Sequence, residues 1–174
     1  KGQVFLSETE AANMDMLMSK WGQHIGTNGI GVMNETIILA HRNEDITILN
    51  QRARQQLIDA GTLKGKPHAF EVKDNRESQN GKSKQIELMV GERILFLENS
   101  WKLNVKNGHF ATITEIKGTQ ITAVIGEGKK ARTVKFDGKE YQSFDYGYAA
   151  TVHKNQGVTV DTAFLFVGGK YWSR

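Results

Sequence analysis

The segment ETIILAHRNEDITILNQRARQQLIDAG, residues 35–61, constrains the fold more than any other part of this chain. Thr36 to Ala40 is a short run, rich in β-branched residues and without period-two alternation. A strand of that kind has to be covered on both faces, as in a parallel sheet. Directly after it, Asn43 is placed to cap a helix that carries Glu44 and Asp45 in its first turn, where carboxylates complement the helix dipole. Ile46, Leu49, Ala53 and Leu57 then share one face, and Gly61 supplies the stop. Strand, turn and helix in that order predict an α/β domain. His41 and Arg42 fall in the turn, where open α/β sheets hold their ligands.

Upstream, residues 4–6 read as a short strand. Ser7 with Glu10 three residues later fits a capping box, and Ala11, Met14, Leu17, Met18 and Trp21 recur at helical spacing. The pattern predicts a helix of about fourteen residues whose methionine stripe is core.

From Gly65 the periodicity changes. HAFEVK, KQIEL, ERILFLE, HFATITEI, TQITAVI and ARTVKF are short runs with partial alternation, separated by the turn sequences KNG, KGT, GEGKK and DGK. They predict a small antiparallel barrel inserted into the α/β domain, an arrangement whose closure entropy grows only slowly with the length of the insert. AFLFVGG, residues 163–169, reads as another buried strand. The expected organisation is therefore 1–64 for the first part of the α/β domain, 65–142 for the barrel and 143–174 for the return segment.

Net charge is +4 over 174 residues, and its distribution is uneven. Residues 1–64 hold 6 Lys/Arg against 7 Asp/Glu, residues 65–142 hold 14 against 10, and residues 143–174 hold 3 against 2. The excess lies wholly in the middle segment, which points to an anionic partner there or to a solvated basic surface. With no Cys there is neither a disulfide framework nor a thiolate metal site. The longest apolar runs are far too short to cross a bilayer, so a cytoplasmic protein without membrane contact is expected.

Several motifs exclude chemistry. The five His residues, at 24, 41, 68, 109 and 153, show no i,i+4 pairing, so no metal site is expected. No Ser lies in G-x-S-x-G. NGKSK, residues 80–84, imitates the end of a phosphate loop, but Arg76 stands where that loop needs glycine, and a β-turn is the better reading. Glu98, after the apolar run ILFL, reads as a surface carboxylate rather than a magnesium ligand. ENSWKLNVKNGH, residues 98–109, places Trp101 among Lys102 and Lys106; an aromatic between cations suits sequence-tolerant binding of single strands, whereas packing of Trp101 on the barrel is the alternative.

YAATVHKNQGVTVD, residues 148–161, resembles motif V of superfamily 1 helicases of the RecD-like branch, and is most like the helicase region of conjugative relaxases. IILAHRNEDITILNQRARQQL is similar to motif IV with its following helix, and GERILFLENSWKLNVKNGHFATI to the barrel insertion that precedes motif V. The resemblance spans roughly residues 35–168 in the family's order. It implies part of a second RecA-like motor domain, of P-loop NTPase type, interrupted by an SH3-like β-barrel. It also implies DNA-backbone contacts for Thr151 and His153, with Lys154 between roles, and an approach of Gln156 and Gly157 to the ATP γ-phosphate. Arg42 matches the motif IV arginine that senses nucleotide. Thr159 stands where many relatives carry a ribose-binding Glu.

A first motor domain with the phosphate loop, and the arginine finger of motif VI, are expected outside these residues, so no catalytic set is complete here. The parent protein would use ATP and Mg2+ and move along single-stranded DNA, with the missing first motor domain as a partner in the same chain. The fragment itself is expected to bind no cofactor and to hydrolyse no ATP. A non-catalytic single-stranded DNA-binding module on a vestigial helicase fold is the alternative, and a protein-docking domain a third reading.

Overall fold

The computed structural model describes residues 8–152 and 160–168. In chain order the elements are α1 (Glu10–Asn28), β1 (Thr36–Ala40), α2 (Asn43–Asp59), β2 (His68–Lys73), β3 (Ser83–Leu88) and β4 (Arg93–Phe96). They are followed by β5 (Phe110–Lys117), β6 (Gln120–Ile125), β7 (Arg132–Asp137), β8 (Phe144–Tyr146), β9 (Ala149–Thr151) and β10 (Thr162–Leu165). The chain divides into two compact units, Lys1–Gln56 with Tyr148–Arg174, and Leu57–Gly147.

The first unit is built on a three-stranded sheet in the order β10-β1-β9, with β1 parallel to both neighbours. Ile37, Ile38 and Ala40 are buried on the central strand, as its unbroken apolar pattern requires. Met14, Met18, Trp21 and Ile25 turn the buried face of α1 inward, and Leu49 and Ala53 do the same for α2. The Trp21 indole meets the Tyr148 ring edge-on, with centroids 6.4 Å apart. Gln56 Nε2 donates to the Met18 carbonyl, which ties the two helices together.

Two expectations for this unit change. The helix is longer than the spacing predicts, and its cap is Thr9, whose hydroxyl accepts the Ala12 N–H at 3.1 Å. Glu10 is thereby the first helical residue, and its carboxylate accepts from Arg42. Residues 4–7 lie outside the described residues. The second change concerns β10, which is not fully buried: Ala163 and Leu165 are exposed, because the strand pairs on one side with β1 and ends the described sheet.

The second unit is antiparallel. β2 and β3 form a hairpin paired over six residues, and the other strands form a five-stranded sheet in the order β7-β6-β5-β4-β8. Strand β8, whose three residues alternate apolar, polar and apolar, completes the sheet by pairing with β4. Gly147 follows it at a point where a Cβ would lie 2.8 Å from the Ile94 carbonyl carbon, so only glycine allows this close approach. Phe96, Phe136, Tyr141 and Phe144 pack as an aromatic cluster with centroid separations of 5.4–5.8 Å.

The ladders leave this unit open where the sequence predicts a closed barrel. The six-residue pairing of β2 with β3 satisfies that hairpin internally. It meets the β8 end of the sheet through separate bonds, from Lys73 N–H to the Gln142 carbonyl and from the Tyr146 hydroxyl to the Glu87 carbonyl, and not through a continued ladder. The Lys84–Asp145 ion pair, 2.6 Å and largely shielded from solvent, closes the same junction.

Candidate nucleotide and nucleic-acid sites

Parallel pairing brings strand C-termini to one edge, and in the first unit the register shows which residues meet there. Ala40 pairs with Thr151 and Leu39 with Leu165, so the chain leaves β1, β9 and β10 side by side. Arg42 lies two residues beyond Ala40, in the turn to α2. Its guanidinium donates Nε to Asp45 Oδ2 at 2.8 Å, and one terminal nitrogen to Asp45 Oδ1 at 2.9 Å and Glu10 Oε1 at 2.6 Å. The Asp45 hydrogen bonds, followed by the charges of Asp45 and Glu10, hold Arg42 above the ordinary arginine value against a smaller cost of burial. Asp45 is 7% exposed and Glu10 45% exposed, so one carboxylate is a fixed support and the other can yield to solvent or to an incoming anion. Arg42 and Thr151 both lie at this edge, and a guanidinium and a hydroxyl are donor types that phosphate oxygens accept from.

Asn50, which the sequence pattern does not single out, holds this edge together. Its Oδ1 accepts the N–H groups of Tyr148 and Ala149 at 3.0 and 2.8 Å, and its Nδ2 donates to the Ala149 carbonyl at 3.3 Å. An asparagine at a buried position of an otherwise apolar helical face was the available signal. His153, Lys154, Gln156 and Gly157 lie outside the described residues.

In the second unit, Trp101, Lys102 and Lys106 do share one loop. Ser100 and Val105 exchange both backbone hydrogen bonds, at 2.9 and 3.1 Å, and close a tight turn over residues 101–104. Asn104 takes φ 53°, the left-handed region that asparagine tolerates. Val105 is buried and anchors the turn, while Trp101 is 99% exposed. The alternative in which Trp101 packs on the barrel is thus overturned, because as the first residue of a four-residue turn it projects away from the sheet. Glu98 is a surface carboxylate paired with Lys73 at 2.7 Å, which holds it below the ordinary carboxylate value, and residues 80–84 belong to the β2–β3 hairpin.

No protein-family model matches the chain. It is 32% identical over 160 residues to the probable conjugal transfer protein TraA of Sinorhizobium fredii, and 36% identical over 126 residues to the conjugal transfer protein TraA of Agrobacterium fabrum. These alignments cover 92% and 72% of the chain. The chain belongs to the TraA family of conjugal transfer proteins. It spans only 13% and 10% of those two TraA proteins. The conjugative-transfer part of the resemblance is borne out by these relatives, and the fold is that of solved helicases. A Bacteroides Pif1 helicase in complex with ADP-AlF3 and single-stranded DNA superposes with TM-score 0.55 at 21% identity, over 79% of this chain and 35% of that one. Pif1 helicases described in DNA unwinding at forked double-stranded DNA give 0.53 at 23% identity, over 76% and 32%. At that identity the likeness is one of fold, a mixed α/β architecture with a parallel sheet. Among the described residues, no helix is long and apolar enough to cross a membrane.

Proposed function

We propose that this chain is part of the second motor domain of an ATP-dependent, RecD-like DNA helicase of conjugative DNA transfer, which in the whole protein couples ATP hydrolysis to movement along single-stranded DNA in the cytoplasm. One observation carries the reading: the parallel register sets Thr151 beside Ala40, and so brings the motif V strand to the edge where Arg42 leaves β1. An edge of that kind is where open α/β sheets bind ligands. Arg42 would sense the γ-phosphate, with Gln156 and Gly157 approaching it, while Thr151, His153 and Lys154 would touch the DNA backbone. The second unit is read as an opened relative of the SH3-like barrel insertion, and the order 1–64, 65–142 and 143–174 as a motor domain interrupted by it.

The residues in hand hold one part of such a motor. ATP and Mg2+ would be bound chiefly by a phosphate loop on a first motor domain elsewhere in the protein, and this chain alone is expected to hydrolyse no ATP. The test is ATPase activity of the full-length protein with and without single-stranded DNA. Wild type should be stimulated by DNA. Arg42→Ala should lower kcat by at least tenfold, and His153→Ala should abolish the stimulation while leaving the basal rate. A full-length protein with no ATPase activity would favour the vestigial DNA-binding module instead.

A further inference from the structure

We infer that the loop 99–109 is a preformed stacking site for the bases of single-stranded DNA, with the Trp101 indole as the platform and Lys102, Lys106 and Arg132 as the charges facing phosphate. The inference rests on the DNA-handling reading above and assigns it a place in the second unit. A tryptophan 99% exposed on an irregular mobile tail would carry little information, but this loop is internally fixed. Besides the Ser100–Val105 exchange, Leu103 N–H donates to Ser100 Oγ, Asn107 N–H to Asn99 Oδ1, and Lys106 N–H to His109 Nδ1. The Asn104 carbonyl accepts from Arg132 on β7. The ring is therefore presented on a backbone already held by these bonds, and binding a base would require little reordering.

The surroundings select the ligand class. A protein-docking surface would set the indole within a contiguous apolar patch, whereas here Val105 is buried, Leu103 is half-buried, and the exposed neighbours in the loop are the polar Lys102, Asn104, Lys106 and Asn107. Arg132 and Lys106 both act electrostatically on His109, so their charges converge on the loop. Glu140 is the opposing carboxylate, and its contact with Lys102 is 3.5 Å between two largely exposed groups, too weak to neutralise the site. An aromatic face among cations suits sequence-tolerant binding of unpaired bases.

The experiment uses the 174-residue chain, a fluorescein-labelled oligo(dT) and an abasic strand of equal length, with binding read by anisotropy across a salt series. Wild type should prefer oligo(dT). Trp101→Ala should weaken oligo(dT) binding by about 5- to 150-fold, the range of one lost stack, and leave the abasic strand unchanged. The Lys102→Ala/Lys106→Ala pair should weaken both strands alike and reduce the salt slope by about 1.4, two contacts at about 0.7 each. Oligo(dT) binding by Trp101→Ala equal to wild type would overturn the stacking site and leave the helicase reading standing, because that reading is decided by the ATPase of the full-length protein. Equal binding of both strands by wild type, or binding of neither, would also overturn it. Since Trp101 buries almost nothing, its replacement should leave the melting temperature at that of wild type, and a thermal melt checks that.

Discussion

Asn50 on α2 grips Ala149 on β9 from both sides of its peptide, accepting the N–H at 2.8 Å and donating to the carbonyl at 3.3 Å, while also accepting the Tyr148 N–H. The helix that follows the Arg42 turn and the strand that ends at Thr151 are thus tied by one buried amide. Asn50→Leu keeps the side-chain volume but leaves these backbone groups without their partner, at an expected cost of about 2–4 kcal/mol. Urea unfolding should show a lower midpoint with an unchanged slope. A midpoint equal to that of wild type would mean that the strand does not depend on this amide.

The two carboxylates on Arg42 differ in burial, and their removal should differ accordingly. Asp45, 7% exposed and bidentate, supports the guanidinium, so Asp45→Ala should cost about 1–3 kcal/mol. Glu10 is 45% exposed, and Glu10→Gln should stay within about 0.5 kcal/mol. Thermal melts of the two variants check the order; equal losses would refute it.

His109 links pH to the loop that carries Trp101. Burial, then the positive charges of Arg132 and Lys106, lower its pKa below the ordinary histidine value, and its Nδ1 accepts the Lys106 N–H only when unprotonated. A histidine with a depressed folded pKa contributes stability that is present above about pH 6.5 and lost as pH falls through the folded value. The stability difference between wild type and His109→Gln, measured by denaturant unfolding, should therefore shrink between about pH 7 and pH 5. A difference that stays flat across that window would show that His109 does not titrate against the fold.

Asp74 acts in a lower window. Hydrogen bonds from Arg76, opposed by burial, hold the Asp74 carboxylate below its ordinary value at the mouth of the β2–β3 hairpin. Its contribution is present above about pH 4 and lost as pH falls through the depressed folded value. Asp74→Asn should be less stable than wild type by about 1–3 kcal/mol at neutral pH, with the gap closing below about pH 4. A constant gap down to pH 2 would assign the loss to geometry and not to ionisation.

How much of this was legible varies with the range of the interaction involved. Strand β1 begins and ends where the apolar run Thr36–Ala40 predicts, and β2 coincides with HAFEVK, since both patterns report burial within a few residues. Helix α2 follows from its apolar face and from Gly61, which takes φ 69° and donates to the Ile58 carbonyl. Ser7 and Thr9 are both competent caps by residue type, and residue type alone does not choose between them; the cap is Thr9, while Glu10 meets Arg42, 32 residues away. The position of Arg42, in a turn after a buried strand, is legible in the sequence. The contacts of Asn50, Asp45 and Arg132 are not, because they depend on atoms distant in sequence or hidden in a turn.

Local periodicity, turn chemistry and the motif order were enough to name the elements and to place Arg42, Thr151 and Trp101 in strand ends and loops. Their spacing along the chain says which face a residue occupies, since helices repeat every 3.6 residues and strands every two. It says nothing about partners. That β1 lies between β9 and β10, that one amide joins α2 to Ala149, that β2 and β3 pair with each other and leave the sheet unclosed, and that Trp101 stands wholly in water were decided by the tertiary structure. Each of these depends on which of several compatible surfaces meet when the chain collapses, a competition between contacts far apart in sequence that no single segment encodes.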